Sequence, residues 1–584
     1  MTLFRIAWRA SCLLALLTAT AALAQPAAEN LVTNSDYAAD LDGWRLTGEL
    51  QAELVDSGRA DLGRAVRLRT RTTDVPWNLQ LSQALNAAVA QRDALYVRVW
   101  LRSPESVRVT FVVEQASEPY TKSLNREART TPEWQEYRFV GRSVAAYEAG
   151  AAAVRLMLGH DPGTLEVAGL RVENHGAAEG VQFDQTIDYW GGRPHDDAWR
   201  AAAEQRIAEL RTAPLTIRVN GALGAPVPGA TVRVEQVRHH FRFGTAAPAG
   251  RFVGTDADSE RFRAEVARLY NTVTFENDLK WHDVNPAEQQ RIDAAIDWLD
   301  EHEITLRGHV LVWNFEVMPP RVRDLDAEAM RAAVHQRVTD QVGLYRDRLY
   351  LWDVVNEAVT NTEIWDRIGW DQFPEVFRLA RAAGPNIGLA YNEYNMLNDR
   401  EGHWRRSLEN ARRLIDAGAP ITTFGEQAHQ GVPLVPLPRV LELLDEAAKL
   451  GLRIEITEFD LGGVDDEEVH AQYVADFMTA CFSHPSVDAF ILWGFWEGSH
   501  WRAGENAAMF RRDWSKKPAQ DAWEDLVLNQ WWTRAAGETD GAGEFTQPVF
   551  YGRHRVTVEH DGQTVQAIVE RTPDSPDWVM VSLP

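Results

Sequence analysis

Thiols are almost absent from this chain. Its 584 residues hold two cysteines, Cys12 and Cys481, and Cys12 lies in an N-terminal stretch that reads as a removable leader. No intrachain disulfide is then available, so an exported form must be held by packed cores alone. Basic charge is also short: 60 Lys and Arg against 85 Asp and Glu leave a formal net charge of −25. That balance excludes the phosphate-binding stripe that nucleic acid or an anionic membrane surface demands, and it leaves a neutral polymer acceptable as a partner. The H-E-x-x-H spacing of zinc hydrolases is missing from the 16 histidines. His239 and His240 are adjacent on a strand-like stretch, which turns their rings to opposite faces, so no metal is expected. An apolar run of membrane-spanning length is lacking as well. The run from Cys12 to Ala24 follows Arg5 and Arg9 and closes on Ala22-Leu23-Ala24 before Gln25, the pattern of a secretory signal and not of an anchor. The expectation is cleavage of residues 1–24, no membrane insertion afterwards, and a secreted or periplasmic location.

What the chain does hold is length and indole. A length of 584 residues with 22 Trp is too much for one ordinary domain. Residues 25–175 read as all-β, with alternating runs such as Ala94 to Trp100 and Val107 to Val113 broken by Ser, Pro, Gly and Asp turns, which predicts a β-sandwich. Residues 176–237 form a connection. Pro194 to Leu210 carries helical apolar spacing at Trp199, Ala203, Ile207 and Leu210 behind the acidic His195-Asp196-Asp197. The runs 215–219 and 230–234 flank a glycine-rich stretch and read as a hairpin.

From about residue 238 to 530, strand-like and helix-like segments alternate. Strands are expected at 241–245, 272–275, 306–313, 350–357, 387–391, 422–426, 454–458 and 489–493. Amphipathic stretches at 327–344 and 440–450 lie among them. Eight βα units predict a (β/α)8 barrel. The tail, 531–584, has short β runs punctuated by glycine, and a small β appendage is expected.

Two of the barrel strands end unusually. Leu351-Trp352-Asp353-Val354-Val355 runs into Asn356-Glu357, and Arg453-Ile454-Glu455-Ile456-Thr457 runs into Glu458-Phe459-Asp460. Strands buried on both faces have no use for such endings unless they project from the C-terminal rim, where barrel chemistry is done. Two rim carboxylates together supply a proton donor and a nucleophile or base, the pair needed to cleave a glycosidic bond.

In order and separation, W-D-V-V-N-E and I-T-E-F-D resemble the acid/base and nucleophile strands of glycoside hydrolase family 10, the xylanase family, and the likeness covers roughly residues 240–530. The resemblance implies a retaining endo-β-1,4-xylanase or close β-glycanase, with Glu357 as acid/base, Glu458 as nucleophile, Asn356 on the sugar 2-hydroxyl, and no cofactor. It also assigns Glu276, Asn277 and Lys280 from the run Phe275 to Trp281 to sugar binding. His309 and Trp313 from Gly308 to Trp313 stand beside the cleaved sugar, as does Gln427. His429 binds and, with Asp460, orients the nucleophile, and Trp493 and Trp501 form an aromatic floor and lid.

Two departures stand out. Glu393 occupies a place where Asp is commoner, and Asn314-Phe315-Glu316 replaces His, Ser, Gln, which would put an extra carboxylate near the sugar cleft. The front region, through Asn30 to Asn34 with Gly43-Trp44, then Pro76 to Leu81, and finally 158–167, resembles jelly-roll carbohydrate-binding modules of the family 4 and 9 type. One or two of Trp44, Trp77, Trp100 and Trp134 are expected to face ligand. The rival readings are a non-catalytic glycan-binding protein, which the retained pair argues against, and a metal hydrolase, which the missing histidine spacing argues against.

Overall fold

The computed structural model describes residues 28, 30–177, 183, 186, 198–464 and 466–584. The expected signal segment and His195-Asp196-Asp197 lie outside them.

The alternating apolar runs of the front region build two five-stranded antiparallel sheets packed face to face. One face of each strand supplies a common core that includes Leu81, Val97, Phe111, Phe139, Leu156 and Val167, all buried. Three of the four tryptophans singled out are packed. Trp44 donates its Nε1 to the Asn34 carbonyl at 3.1 Å, while Trp100 and Trp134 lie under the guanidinium groups of Arg59 and Arg102. Trp77 is 54% exposed. It precedes the sheet that contains Gln80–Ala84, Arg108–Gln115 and Ala152–Met157, and its carbonyl accepts Gln80 Nε2 at 2.5 Å. In that sheet Glu114, 3% exposed, takes Arg155 Nε at 2.7 Å and Lys122 Nζ at 3.0 Å. The Arg155 guanidinium stands 5.8 Å from the Tyr120 ring.

Eight parallel strands form the second body: β1 (Arg242–Ala247), β2 (Thr272–Phe275), β3 (Thr305–Gly308), β4 (Leu349–Asn356), β5 (Gly388–Glu393), β6 (Thr423–Glu426), β7 (Arg453–Leu461) and β8 (Val487–Leu492). Each pairs with the next, β8 pairs with β1, and the barrel is closed. The bounds lie within three residues of those expected from sequence except in β3, which ends at Gly308 instead of 313. A Cβ at Gly308 would lie 2.4 Å from the Trp352 ring, so only glycine lets β3 approach β4 there. Helices cover the outside. Asp256, Asp326 and Asp466 cap three of them, and Asn285 with Glu288 forms a capping box on Pro286–Glu301. The helix Ala198–Arg211 packs at the N-terminal end of the barrel, where Arg211 donates to the carbonyls of Phe482, His484 and Val487, each at 2.8 Å.

The hairpin expected from 215–219 and 230–234 does not form. Thr212–Asn220 inserts between Glu544–Phe550 and Trp578–Ser582, whereas Thr231–His239 lies in a different sheet between Arg534–Glu538 and Gly552–His560. The two runs face each other across a small sandwich core of Leu215, Ile217, Val219, Val232, Val234, Val556 and Val558. Each run is apolar on one face only, and its strand partners come from the far end of the chain. The C-terminal β appendage therefore takes in the two strands that precede the barrel. Removal of residues 532–584 should expose this apolar face, lower the thermal midpoint and open 212–239 to proteolysis. An unchanged melting curve and an uncut segment in the truncated chain would contradict that coupling.

Candidate active site

The C-terminal ends of the barrel strands surround a cleft of about 330 Å³. Glu276, Lys280, His309, Trp313, Asn356, Glu357, Gln427, His429, Glu458, Trp493 and Trp501 all line it, together with Tyr394. Asn277 is exposed at the rim, where its Oδ1 accepts from Lys280 Nζ at 2.9 Å.

Glu357 follows the last residue of β4 with φ at 57°. That left-handed backbone costs a residue with a Cβ on the order of 1–3 kcal/mol. It is held by the Glu357 N–H on the Asn392 carbonyl at 2.9 Å and by the Asn361 N–H on the Glu357 carbonyl at 2.9 Å. The carboxylate thereby leaves the strand direction and enters the cleft, where three amides meet it. Asn356 Nδ2 and Gln427 Nε2 donate to Oε1 at 3.1 and 2.9 Å, and Asn361 Nδ2 donates to Oε2 at 3.1 Å.

Glu458, on β7 and 4% exposed, accepts Asn392 Nδ2 at 2.8 Å on Oε1 and faces His429 Nε2 at 3.3 Å on Oε2. Asn392 spans the two halves of the site, since its Nδ2 also donates to Asn356 Oδ1 at 2.9 Å while its own Oδ1 accepts from Thr457 Oγ1 at 2.8 Å. Gly425 makes room for it: a Cβ there would stand 2.3 Å from Asn392 Oδ1.

His429 lies between two carboxylates, Glu458 and Asp460, the latter at 3.1 Å from Nδ1. Burial opposes its protonation, yet Asp460 and Glu458 outweigh burial and push the imidazole up to about 10. Asp460 is itself opposed by burial but held low by His429 and Arg502. Its oxygens accept Trp501 Nε1 at 2.7 Å and Arg502 Nη1 at 2.6 Å, so one carboxylate orients a ring of the site and its aromatic lid together. On the opposite wall burial pushes Glu276 up against the charge of Lys280, and draws Lys280 down against the charges of Glu458, Glu276 and Glu357. The Lys280 ammonium lies 4.7 Å from the Trp313 ring centroid. His309 is buried, places Nδ1 2.9 Å from Asp353 Oδ2 and meets the Trp493 ring edge-on at 5.2 Å.

The expectation for Glu316 is overturned. Asn314 Oδ1 accepts the Glu316 N–H at 2.7 Å and caps a short turn. The turn faces the carboxylate outward to Arg323 at 3.1 Å with 76% of the side chain exposed, and Glu316 is not among the residues that line the cleft. Glu393 lies behind the site, fully buried, and accepts Tyr391 Oη, the Val359 N–H and His403 Nε2 at 2.5, 2.8 and 3.0 Å. Sequence reasoning left Asn392, Asn361, Tyr394 and Arg502 without roles. Asn392 was within reach, because it directly precedes Glu393 in a strand already marked as part of the barrel rim. Among the described residues, no group of three His, Cys, Asp or Glu is placed to hold a metal ion.

A closed parallel barrel whose C-terminal rim holds two carboxylates among amides, an imidazolium and indoles defines the class of this protein. The family model "Glycosyl hydrolase family 10" matches residues 234–526, just over half of the chain, and the chain belongs to that family. Anti-sigma-I factor RsgI6 of Acetivibrio thermocellus is 32% identical over 370 residues, 62% of this chain and 47% of that protein. Endo-1,4-beta-xylanase 1 of Arabidopsis thaliana is 27% identical over 362 residues, 61% of this chain and 37% of that protein. The chain thus spans less than half the length of these two relatives. Among solved structures, xylanase 10B from Thermotoga petrophila in complex with xylobiose superposes with a TM-score of 0.46 at 25% identity, covering 50% of this chain and 95% of that one.

The state of His429 yields a prediction. Its folded pKa near 10 lies above the ordinary 6.5, so the native state binds the proton more tightly than the unfolded chain. The resulting stabilisation is complete below about pH 6.5 and is lost as pH rises through about 10. Ring-nitrogen NMR shifts at pH 8 should be those of an imidazolium, and Asp460→Asn should lower the titration midpoint by about one unit or more. A ring that titrates near its ordinary value in both forms would refute the charge assignment.

Proposed function

We propose that the protein is a retaining endo-β-1,4-xylanase that acts by double displacement. The observation that carries this reading is the convergence of Glu357 and Glu458, from two separate strands, on one cleft walled by Trp313, Trp493 and Trp501. In the first step Glu458 attacks the anomeric carbon while Glu357 gives its proton to the departing glycosidic oxygen. In the second, Glu357 takes a proton from water, which opens the ester on Glu458 and returns the original configuration. Both steps are complete without a metal or organic cofactor. The Asn356 amide, beside Glu357, suits a sugar 2-hydroxyl, a contact that strengthens as charge develops at the neighbouring carbon. Exposed Trp501, tied to Asp460, offers an apolar face to a pyranose.

The N-terminal sandwich is read as a glycan-binding module. It sets exposed Trp77 and Tyr120 beside polar groups already fixed by Glu114, a surface suited to hydroxyl-rich chains. A leader that ends at Ala24 fits export to the periplasm or beyond, with no membrane insertion after its removal. Xylan or a related β-glycan is the partner proposed, and nucleic acid is disfavoured by the net charge of −25.

Glu458→Ala should lower kcat on xylan on the order of 10⁴-fold or more with the fold kept, because the covalent route is lost while little core is opened. Proton NMR of the wild-type reaction should show the β-anomer first. Wild-type-like turnover in the variant, or initial release of the α-anomer, would sink the mechanism. For the front module, Trp77→Ala with Tyr120→Ala should reduce retention on insoluble xylan several-fold at unchanged hydrolysis of short soluble oligosaccharides. Equal pull-down of variant and parent would remove the binding role.

A further inference from the structure

Lys280 borders two spaces. One is the cleft just described. The other is a cavity of about 490 Å³ between the loop after β2 and the helices Pro286–Glu301 and Ala327–Tyr345. The charge set into its wall is Arg337, 9% exposed. Its Nη2 donates to the carbonyls of Leu279 and Val310 at 2.6 and 3.2 Å, but its Nε has no acceptor. Among the described residues, no carboxylate stands within ion-pair distance of it. Burial draws this guanidinium down to about 9. A buried cation normally has a carboxylate against it, since its desolvation is otherwise uncompensated.

The three aspartates of the cavity wall are committed elsewhere. Asp278 faces Arg291 at 3.5 Å and accepts the Ala249 N–H, Asp283 pairs with Arg321 at 2.6 Å, and exposed Asp340 accepts the Gln336 amide at 2.6 Å. Arg337 is left as the cation without a counter-charge. The remaining wall carries the Gln289 and Gln341 amides, the Tyr345 hydroxyl and half-buried Trp281, whose ring centroid is 6.0 Å from the guanidinium. Amides, a hydroxyl and an indole suit a sugar ring, and the uncompensated guanidinium charge suits a carboxylate.

We propose that this cavity is a uronate subsite, which takes a carboxylated sugar branch of the polysaccharide held in the neighbouring cleft and seats its carboxylate on Arg337. The inference rests on the glycanase reading and narrows its substrate to an acidic, uronic-acid-substituted β-glycan. Lys280 belongs to the walls of both spaces, so the proposed subsite adjoins the cleft. In a protein of net charge −25 a local cation offsets the general repulsion of an anionic branch.

The test compares two ligands by calorimetry on the full chain carrying Glu458→Ala: a xylo-oligosaccharide bearing a glucuronosyl branch, and the same compound with its carboxyl reduced to the neutral alcohol. The acid is expected to bind at least tenfold more tightly. That difference should vanish in Arg337→Gln, and also in Gln341→Glu, which sets an internal carboxylate one helical turn from Arg337 without removing it. If Arg337→Gln fails to fold, Gln341→Glu decides alone. Equal binding of both ligands to the parent, or an acid preference that survives Gln341→Glu, overturns the subsite. In either case continued binding of the neutral ligand leaves the glycanase reading standing, whereas failure of both ligands to bind overturns that reading and with it the subsite.

Discussion

At the centre of the barrel lies an ion-pair network on which the site depends. Arg307, fully buried on β3, donates two bonds to Asp353 on β4 and a third, at 2.9 Å, to Glu455 on β7. Burial works against the guanidinium, but Asp353 and Glu455 outweigh it and hold it charged. The Asp353 carboxylate, resisted by burial and secured by Arg307, is held below its usual range. Loss of one partner from such a buried pair typically costs about 3–5 kcal/mol, because the other charge is stranded. The strands it ties are those that deliver His309, Glu357 and Glu458. His309 joins directly through Asp353 Oδ2, so the interior that sets the strand register also orients a ring at the cleft.

Above that network the backbone carries strain where chemistry needs direction. Glu357 and Ala428 both adopt left-handed conformations, at φ 57° and 60°. The first redirects a carboxylate from the strand axis into the cleft. The second lies between Gln427 and His429, so the side chains on either side of it reach Glu357 and Glu458 respectively. Neighbouring hydrogen bonds fix both turns: the Glu357 N–H rests on the Asn392 carbonyl at 2.9 Å, and beside Ala428 the Gln427 N–H rests on the Glu393 carbonyl at 2.8 Å. Side chains held this way need little reorganisation when charge moves, which is where preorganised sites gain their advantage.

Most of the barrel was legible because its strands are apolar on both faces and its helices are not, a contrast that survives in one dimension. Glu357 and Glu458 were legible for the complementary reason, as polar endings on runs that had no structural use for them. What stayed hidden depends on partners far apart in the chain. The runs 215–219 and 230–234 have equal strand character whether they pair together or with residues 534–582, and only the three-dimensional core discriminates. Asn392 looked like a strand residue because its role comes from reaching Asn356 and Glu458 at once. Glu316 misled in the opposite sense: its position next to a site motif implied the cleft, but Asn314 capped the turn and Arg323 drew the carboxylate outward.

The distribution of protons in the cleft follows from these positions. His429, held between Glu458 and Asp460, is an imidazolium at neutral pH and has only N–H bonds to offer. It can steady the Glu458 carboxylate but cannot accept a proton from water. Lys280, on the far wall, is likewise a donor and is tied to Asn277. Under the proposed double displacement, proton traffic to the leaving oxygen and from the incoming water therefore falls to Glu357, the carboxyl that the three amides of Asn356, Gln427 and Asn361 aim into the cleft. The two carboxylates differ in company more than in burial: Glu458 has an imidazolium and an amide from the barrel interior, Glu357 has neutral amides from the rim. A cation stands beside one carboxylate and neutral amides beside the other, and Asp460, through His429, sets that difference.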